Sequence, residues 1–137
     1  MNTATVDAPL WREHQPAGLM STLGPLLSRR EGDSWVYGLR LDERHLNLAG
    51  IVHGGTFTTL LDHAISTIAW ERSGKQACVT VQLNTSFMKP ARAGQLLAAR
   101  AQLHHASGSM LFLDATLHAD EVLVATAQAV MKRLAPR

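Results

Sequence analysis

Apolar and polar positions alternate along most of this chain, and one segment breaks the alternation. Between Gly54 and Arg72 the apolar residues recur every three or four positions. Phe57, Leu61, Ala64, Ile65 and Ile68 share one face at about 100° per residue, widened by Leu60 and Ala69. This spacing predicts a helix from Gly54 to about Arg72, closed by Ser73-Gly74-Lys75. Elsewhere the period is two. Leu26–Glu31 and Ser34–Leu41 read as strands around a turn at Gly32-Asp33, and in the second Trp35, Tyr37 and Leu39 alternate against Val36, Gly38 and Arg40. Asp42–Val52 reads as a loop. Four β-like runs follow the helix, at about 76–88, 95–106, 110–119 and 122–134. They are separated by Pro90-Ala91-Arg92-Ala93-Gly94, Ser107-Gly108 and Asp120-Glu121. Val79, Val81 and Leu83 are expected on one face against Thr80, Gln82 and Asn84. Leu111, Leu113, Ala115 and Leu117 are expected against Phe112, Asp114, Thr116 and His118.

One long apolar helix followed by a run of antiparallel strands predicts an α+β fold, a curved antiparallel sheet wrapped around the helix. Residues 1–25 are mixed and Pro-bearing, compatible with a short helix around Leu10–Leu23, and are set apart from a single domain at 26–137. The length of 137 residues suits one core.

Composition narrows the class without naming a chemistry. Apolar residues make up 46% and charged residues 18%, as in a globular chain. Thirteen basic against eleven acidic residues give +2 and a pI near 9.1, but no basic block of the kind that binds nucleic acid. Cys78 is alone, so no internal disulfide can form. No secretory signal and no run long enough to span a bilayer are evident, so a cytoplasmic location is expected.

The chemistry concentrates around His53-Gly54-Gly55 and Asp62, nine residues after the histidine. The two glycines stand where the helix begins. Asp62 falls on the shoulder of the apolar face, so it is expected to be partly buried. A buried acid beside a helix N-terminus is a plausible reaction centre, because burial and nearby amides govern proton affinity and oxyanion binding. The plainer reading of Asp62 is an acid favoured by the helix dipole. His53 could simply tie loop to helix, Asn47 could close an Asx turn, the glycines could serve a tight turn, and Thr80 could reflect β-propensity.

Asn47-Leu48-Ala49-Gly50-Ile51-Val52-His53-Gly54-Gly55 with Asp62 resembles the hotdog-fold acyl-CoA thioesterases, and most of all their phenylacetic-acid-degradation branch. Val79-Thr80-Val81-Gln82-Leu83-Asn84 and Phe87-Met88-Lys89-Pro90-Ala91 resemble the strand that follows the helix there. The resemblance covers about Leu26 to Leu134. It implies a homodimer, often paired again into a homotetramer, with active sites between subunits. It implies hydrolysis of an acyl-CoA thioester to a free acid and coenzyme A. Gly54 would offer its N–H to the thioester carbonyl, and Asn47 and His53 would help hold the carbonyl or the attacking water. Asp62 from the opposite subunit would act as general base or nucleophile, with the hydroxyl of Thr80 near the water. Gly55, Lys89, Arg92, Arg133 and the turn Ser107-Gly108-Ser109 are candidates for holding the substrate, the charged residues toward the CoA phosphates. Phe57, Trp70 and Leu61 could shape the acyl pocket, although core packing is the better reading of Phe57 and Leu61.

No metal or redox cofactor is expected, coenzyme A entering only as part of the substrate. His104-His105 would point to opposite faces of a strand unless it is bulged. No GxSxG elbow, HExxH, paired CxxC or phosphate loop occurs. Two other readings stay open: a non-catalytic acyl-CoA-binding hotdog module, and a hotdog hydratase acting on an enoyl or hydroxyacyl thioester. The residues do not distinguish aromatic from aliphatic acyl groups.

Overall fold

A computed structural model describes residues 10–135 of the chain. The start of the N-terminal segment at 1–9 and the last two residues of the 26–137 domain lie outside the described residues.

The strands are β1 Arg12–His14, β2 Leu26–Glu31, β3 Ser34–Arg40, β4 Cys78–Phe87, β5 Leu96–Ala106, β6 Met110–Ala119 and β7 Val122–Arg133. They form one antiparallel sheet in the order β1-β2-β3-β5-β6-β7-β4. The helix α1, Gly54–Arg72, lies in the concave side of the sheet. This is the hotdog arrangement expected above.

The helix sits where its apolar face can be covered. Phe57, Leu60, Leu61, Ala64, Ile65, Ile68 and Ala69 are all buried. They meet Leu39, Leu97, Leu111, Leu117 and Met131 from the sheet, with Ala99, Ala115, Ala127 and Ala129 among them. Small residues on the strands let the helix approach closely, and each fully buried Leu or Ile contributes roughly 1.5–3 kcal/mol relative to exposure. The alternation in β6 holds, with Leu111, Leu113, Ala115 and Leu117 buried beneath the helix.

Two expectations need correction. The N-terminal segment contains a 3-10 helix at Gly18–Leu23, but ahead of it Arg12–His14 is a strand paired with Leu26–Ser28. Three exposed residues carry no alternation to announce a strand; the pairing is fixed by Trp11, which packs over Gly38. A Cβ on Gly38 would come within 3.0 Å of the indole. Arg29 lies over the Trp11 ring, its guanidinium 4.7 Å from the centroid.

In β4 the predicted faces do not hold either. A bulge falls between Thr80 and Gln82, where the pairing with β7 gains an extra residue. Cys78 and Leu83 both pack toward the core, and Thr80 reaches the helix, so the phase of the strand changes at Val81. Val79 and Val81 stay exposed, 42% and 56%, because β4 is the sheet margin. A second bulge between Leu103 and His105 separates the two adjacent histidines, and His104 Nε2 lies 2.7 Å from Asp114 Oδ2. Among the described residues no helix is long and apolar enough to cross a membrane, and no group of three or more His, Cys, Asp or Glu converges as a metal site.

Candidate active site

The site is built where the loop 42–53 delivers the chain into α1. Asn47 shapes that loop. Its Oδ1 accepts from Ala49 N–H at 2.9 Å and Ile51 N–H at 3.3 Å, and its own N–H donates to the Ile51 carbonyl at 2.8 Å. The oxygen of Asn47 is thus used in an Asx turn, leaving the amide NH2 as its free function. Val52 N–H donates to the Ala91 carbonyl and His53 N–H to the His45 carbonyl, at 2.9 and 2.8 Å, which fixes the direction from which the helix starts.

His53 is the N-cap. Its Nδ1 accepts from Gly55 N–H at 2.8 Å, and its carbonyl accepts from Thr56 N–H at 2.9 Å. An Nδ1 that accepts carries no proton, so the ring is held as the tautomer protonated on Nε2. Gly55 is committed to this cap: a Cβ there would stand 3.1 Å from His53 Nδ1. The Gly54 N–H, first in the helix, has no acceptor within it. It faces the end at which peptide dipoles accumulate positive charge. Gly54 also lies against Phe87, whose Cε1 would be 3.3 Å from an added Cβ.

A groove of about 390 Å³ opens at this helix start, lined by Asn47, Ile51, Val52, Gly54, Phe57, Phe87, Met88, Lys89 and Pro90. Its size and apolar lining suit a small ligand. Ile51, Val52, Phe87, Met88 and Pro90 were not among the sequence candidates. The signal was available for Phe87, an aromatic at the end of a marginal strand next to Lys89-Pro90.

Asp62 stands further along α1, half-buried, and its Oδ1 accepts from Thr80 Oγ1 at 2.7 Å. Beside it, burial pushes His63 below its ordinary value of 6.5, and the charge of Asp62 opposes that shift. The His63 ring meets Tyr37 edge to face, with centroids 5.2 Å apart, and burial raises the Tyr37 hydroxyl.

The fold gathers some sequence candidates and separates others. Asn47, Gly54 and Lys89 share the groove, and His53 and Gly55 flank Gly54 in the helix cap. Asp62 and Thr80 form a second group. Eight residues of α-helix place Asp62 about 12 Å along the axis from Gly54. The substrate-holding candidates divide in the same way. Arg133 donates from Nη1 to the Gly108 carbonyl at 3.1 Å, and its N–H donates to the Ser109 carbonyl at 2.8 Å. Ser107 N–H is bound to the Met110 carbonyl at 2.9 Å. Arg133 faces Cys78, and Phe87 faces Ala125, so this group lies at the opposite end of β4 from Lys89. The nine residue steps from Cys78 to Phe87 span about 30 Å of strand. Arg92 lies in the exposed turn after β4, where its N–H donates to Gln95 Oε1 at 2.7 Å. Of the acyl-pocket candidates only Phe57 reaches the groove. Leu61 is wholly in the core, and Trp70 is near the far end of α1 beneath Lys75.

Comparison with known proteins gives this arrangement its class. The thioesterase superfamily signature matches residues 49–126. A Pseudomonas aeruginosa protein named "putative esterase" is 36% identical over 132 residues, covering 95% of this chain and 96% of its own. Acyl-coenzyme A thioesterase 13 of Mus musculus is 31% identical over 80 residues, 58% of this chain and 56% of that protein. Among solved structures, a thioesterase-like, phenylacetic acid degradation-related protein of Ralstonia eutropha superposes with a TM-score of 0.74. It is 30% identical, covering 85% of this chain and 91% of its own. A Bacillus halodurans protein solved with CoA superposes with a TM-score of 0.72 at 26% identity, over 80% of this chain and 74% of its own. The chain belongs to the thioesterase superfamily. It is a hotdog-fold thioester hydrolase.

Proposed function

We propose that this enzyme hydrolyses acyl-CoA thioesters to free carboxylic acids and coenzyme A, in sites shared between two copies of the chain. The observation that carries this reading is Asp62, an acid half-buried on α1 and held by the Thr80 hydroxyl. The CoA-bound Bacillus halodurans structure and the acyl-CoA thioesterase relative support the substrate class.

In this reading the thioester carbonyl accepts from Gly54 N–H, and the helix N-terminus stabilises the oxyanion as it forms. His53 and Gly55 hold the helix start in place. The Asn47 amide faces the same groove and contributes a further donor. Asp62 either removes a proton from the attacking water or attacks the carbonyl carbon itself, with water then cleaving the resulting anhydride. Both routes expel the CoA thiolate, which takes up a proton, and neither needs a metal or redox cofactor.

Asp62 and Gly54 of one chain are about 12 Å apart along α1, too far to act on one carbonyl. The site therefore pairs Gly54 of one subunit with the partner's Asp62. The bare margin of β4, with Val79, Val81 and Met88 exposed, supports such pairing. Antiparallel contact of two β4 strands would bring the Arg133 and Ser107–Ser109 end of one subunit beside the Lys89 end of the other, joining the CoA-holding residues that a single chain keeps apart.

The test is thiol release from a panel of aromatic and aliphatic acyl-CoAs. Asp62→Asn is expected to lower kcat at least ~100-fold, the low end of general acid–base contributions, with milder change in binding. Undiminished turnover in that variant removes Asp62 from the chemistry.

A further inference from the structure

Phe87 ends β4 with its ring over the start of α1. It stacks on Phe57, with centroids 6.0 Å apart and planes 22° from parallel, yet it remains 55% exposed. Because Gly54 has no side chain, the ring packs against the backbone that carries the candidate oxyanion donor, where an added Cβ would be only 3.3 Å from the ring. The groove that begins there has Asn47 and Lys89 as its polar side chains; Ile51, Val52, Phe57, Phe87, Met88 and Pro90 make up the rest.

We propose that Phe87 sets acyl selectivity by limiting bulk at the acyl carbons next to the thioester carbonyl. The proposal rests on the reading of Gly54 as the carbonyl site. The apolar part of an acyl-CoA is its acyl group, whereas pantetheine and phosphates call for polar partners that this groove offers mainly at Lys89. The acyl carbons therefore run along the Phe57–Phe87 wall. An exposed ring gains when apolar surface covers it, and an acyl chain supplies that cover. The stack on Phe57 also stops Phe87 from swinging inward to make room. A straight chain slides past the ring edge, and a branch beside the carbonyl collides with it.

The experiment compares kcat/KM for the straight-chain acyl-CoA that the wild type prefers with that for its α-methyl-branched isomer. Phe87→Ala is expected to raise the branched-to-straight ratio about tenfold, the low end of what one methyl group is worth in a hydrophobic pocket. Phe87→Leu keeps bulk against Phe57 and is expected to move the ratio the same way by less. It also serves as the readout if the alanine variant does not fold. The ratio is the diagnostic because a purely structural role would depress both substrates together. An unmoved ratio in the folded variants overturns the assignment of Phe87 and leaves the active-site reading intact. Absence of acyl-CoA turnover in the wild type overturns the underlying reading and the Phe87 assignment with it.

Discussion

Thr80 Oγ1 donates to Asp62 Oδ1 at 2.7 Å, tying the marginal strand β4 to the middle of the only α-helix among the described residues. An ionised carboxylate can only accept, so a hydroxyl is the partner it needs there. Removing the hydroxyl while keeping the shape leaves Asp62 free to turn. Thr80→Val is expected to lower kcat about tenfold, consistent with the lower range for a hydrogen bond to a charged group. Thr80→Ser should stay close to wild type, and steady-state kinetics on the best acyl-CoA will show whether the two variants separate.

His53 contributes first to structure. It caps α1 through Nδ1, which accepts from Gly55 N–H. His53→Ala should destabilise the fold by about 1 kcal/mol, the usual cost of losing an N-cap. His53→Asn should recover most of that loss, since asparagine caps well. Urea denaturation of the three proteins measures it. Equal stability of the alanine variant and the wild type would mean the cap is ornamental.

Sites shared between subunits make a prediction that a self-contained site does not. Gly54→Ala places a methyl against Phe87 and should blunt the helix-start half of the site, while Asp62→Asn disables the other half. Mixed and re-equilibrated, the two impaired variants should rise to at least roughly a quarter of wild-type activity, because half of the dimers then carry one intact site. No recovery despite demonstrated subunit exchange would place Gly54 and Asp62 outside any common site.

His63 gives the fold an acid-side weakness. Its folded pKa is held below the ordinary 6.5, chiefly by burial. Above 6.5 the ring is neutral in both folded and unfolded chains, and its contribution is fully present. As pH falls through that value the unfolded chain takes up a proton before the folded one does, so stability declines until the folded pKa is passed. His63→Phe should flatten the dependence of unfolding free energy on pH just below 6.5. A wild-type slope unchanged by the substitution would assign the acid sensitivity to other groups.

The sequence made the helix legible because a 19-residue amphipathic period has few alternatives, and α1 begins and ends where the pattern places it. The β2, β3, β5, β6 and β7 spans were legible for the same reason, since turns at Gly32-Asp33, Ser107-Gly108 and Asp120-Glu121 punctuate them. Asp62 was placed correctly at the shoulder of the buried face. Strand β1 was not legible, because its only signature is Trp11 filling the space above Gly38, a contact between residues 27 positions apart. The cap formed by His53 and the turn closed by Asn47 are local hydrogen bonds that the same residue types make or omit according to loop geometry. The distance between Lys89 and Arg133 depends on strand register, which periodicity leaves undetermined.

The irregularity at Val81 gives β4 an odd number where a regular ladder would have an even one. Thr80 before it and Leu83 and Phe87 after it can then all look toward α1. Were Val81 threaded into the ladder as a regular position, Thr80 would turn onto the convex side, out of reach of Asp62, with the composition unchanged. The chemistry of this edge thus hangs on a one-residue miscount that the pairing with β7 absorbs.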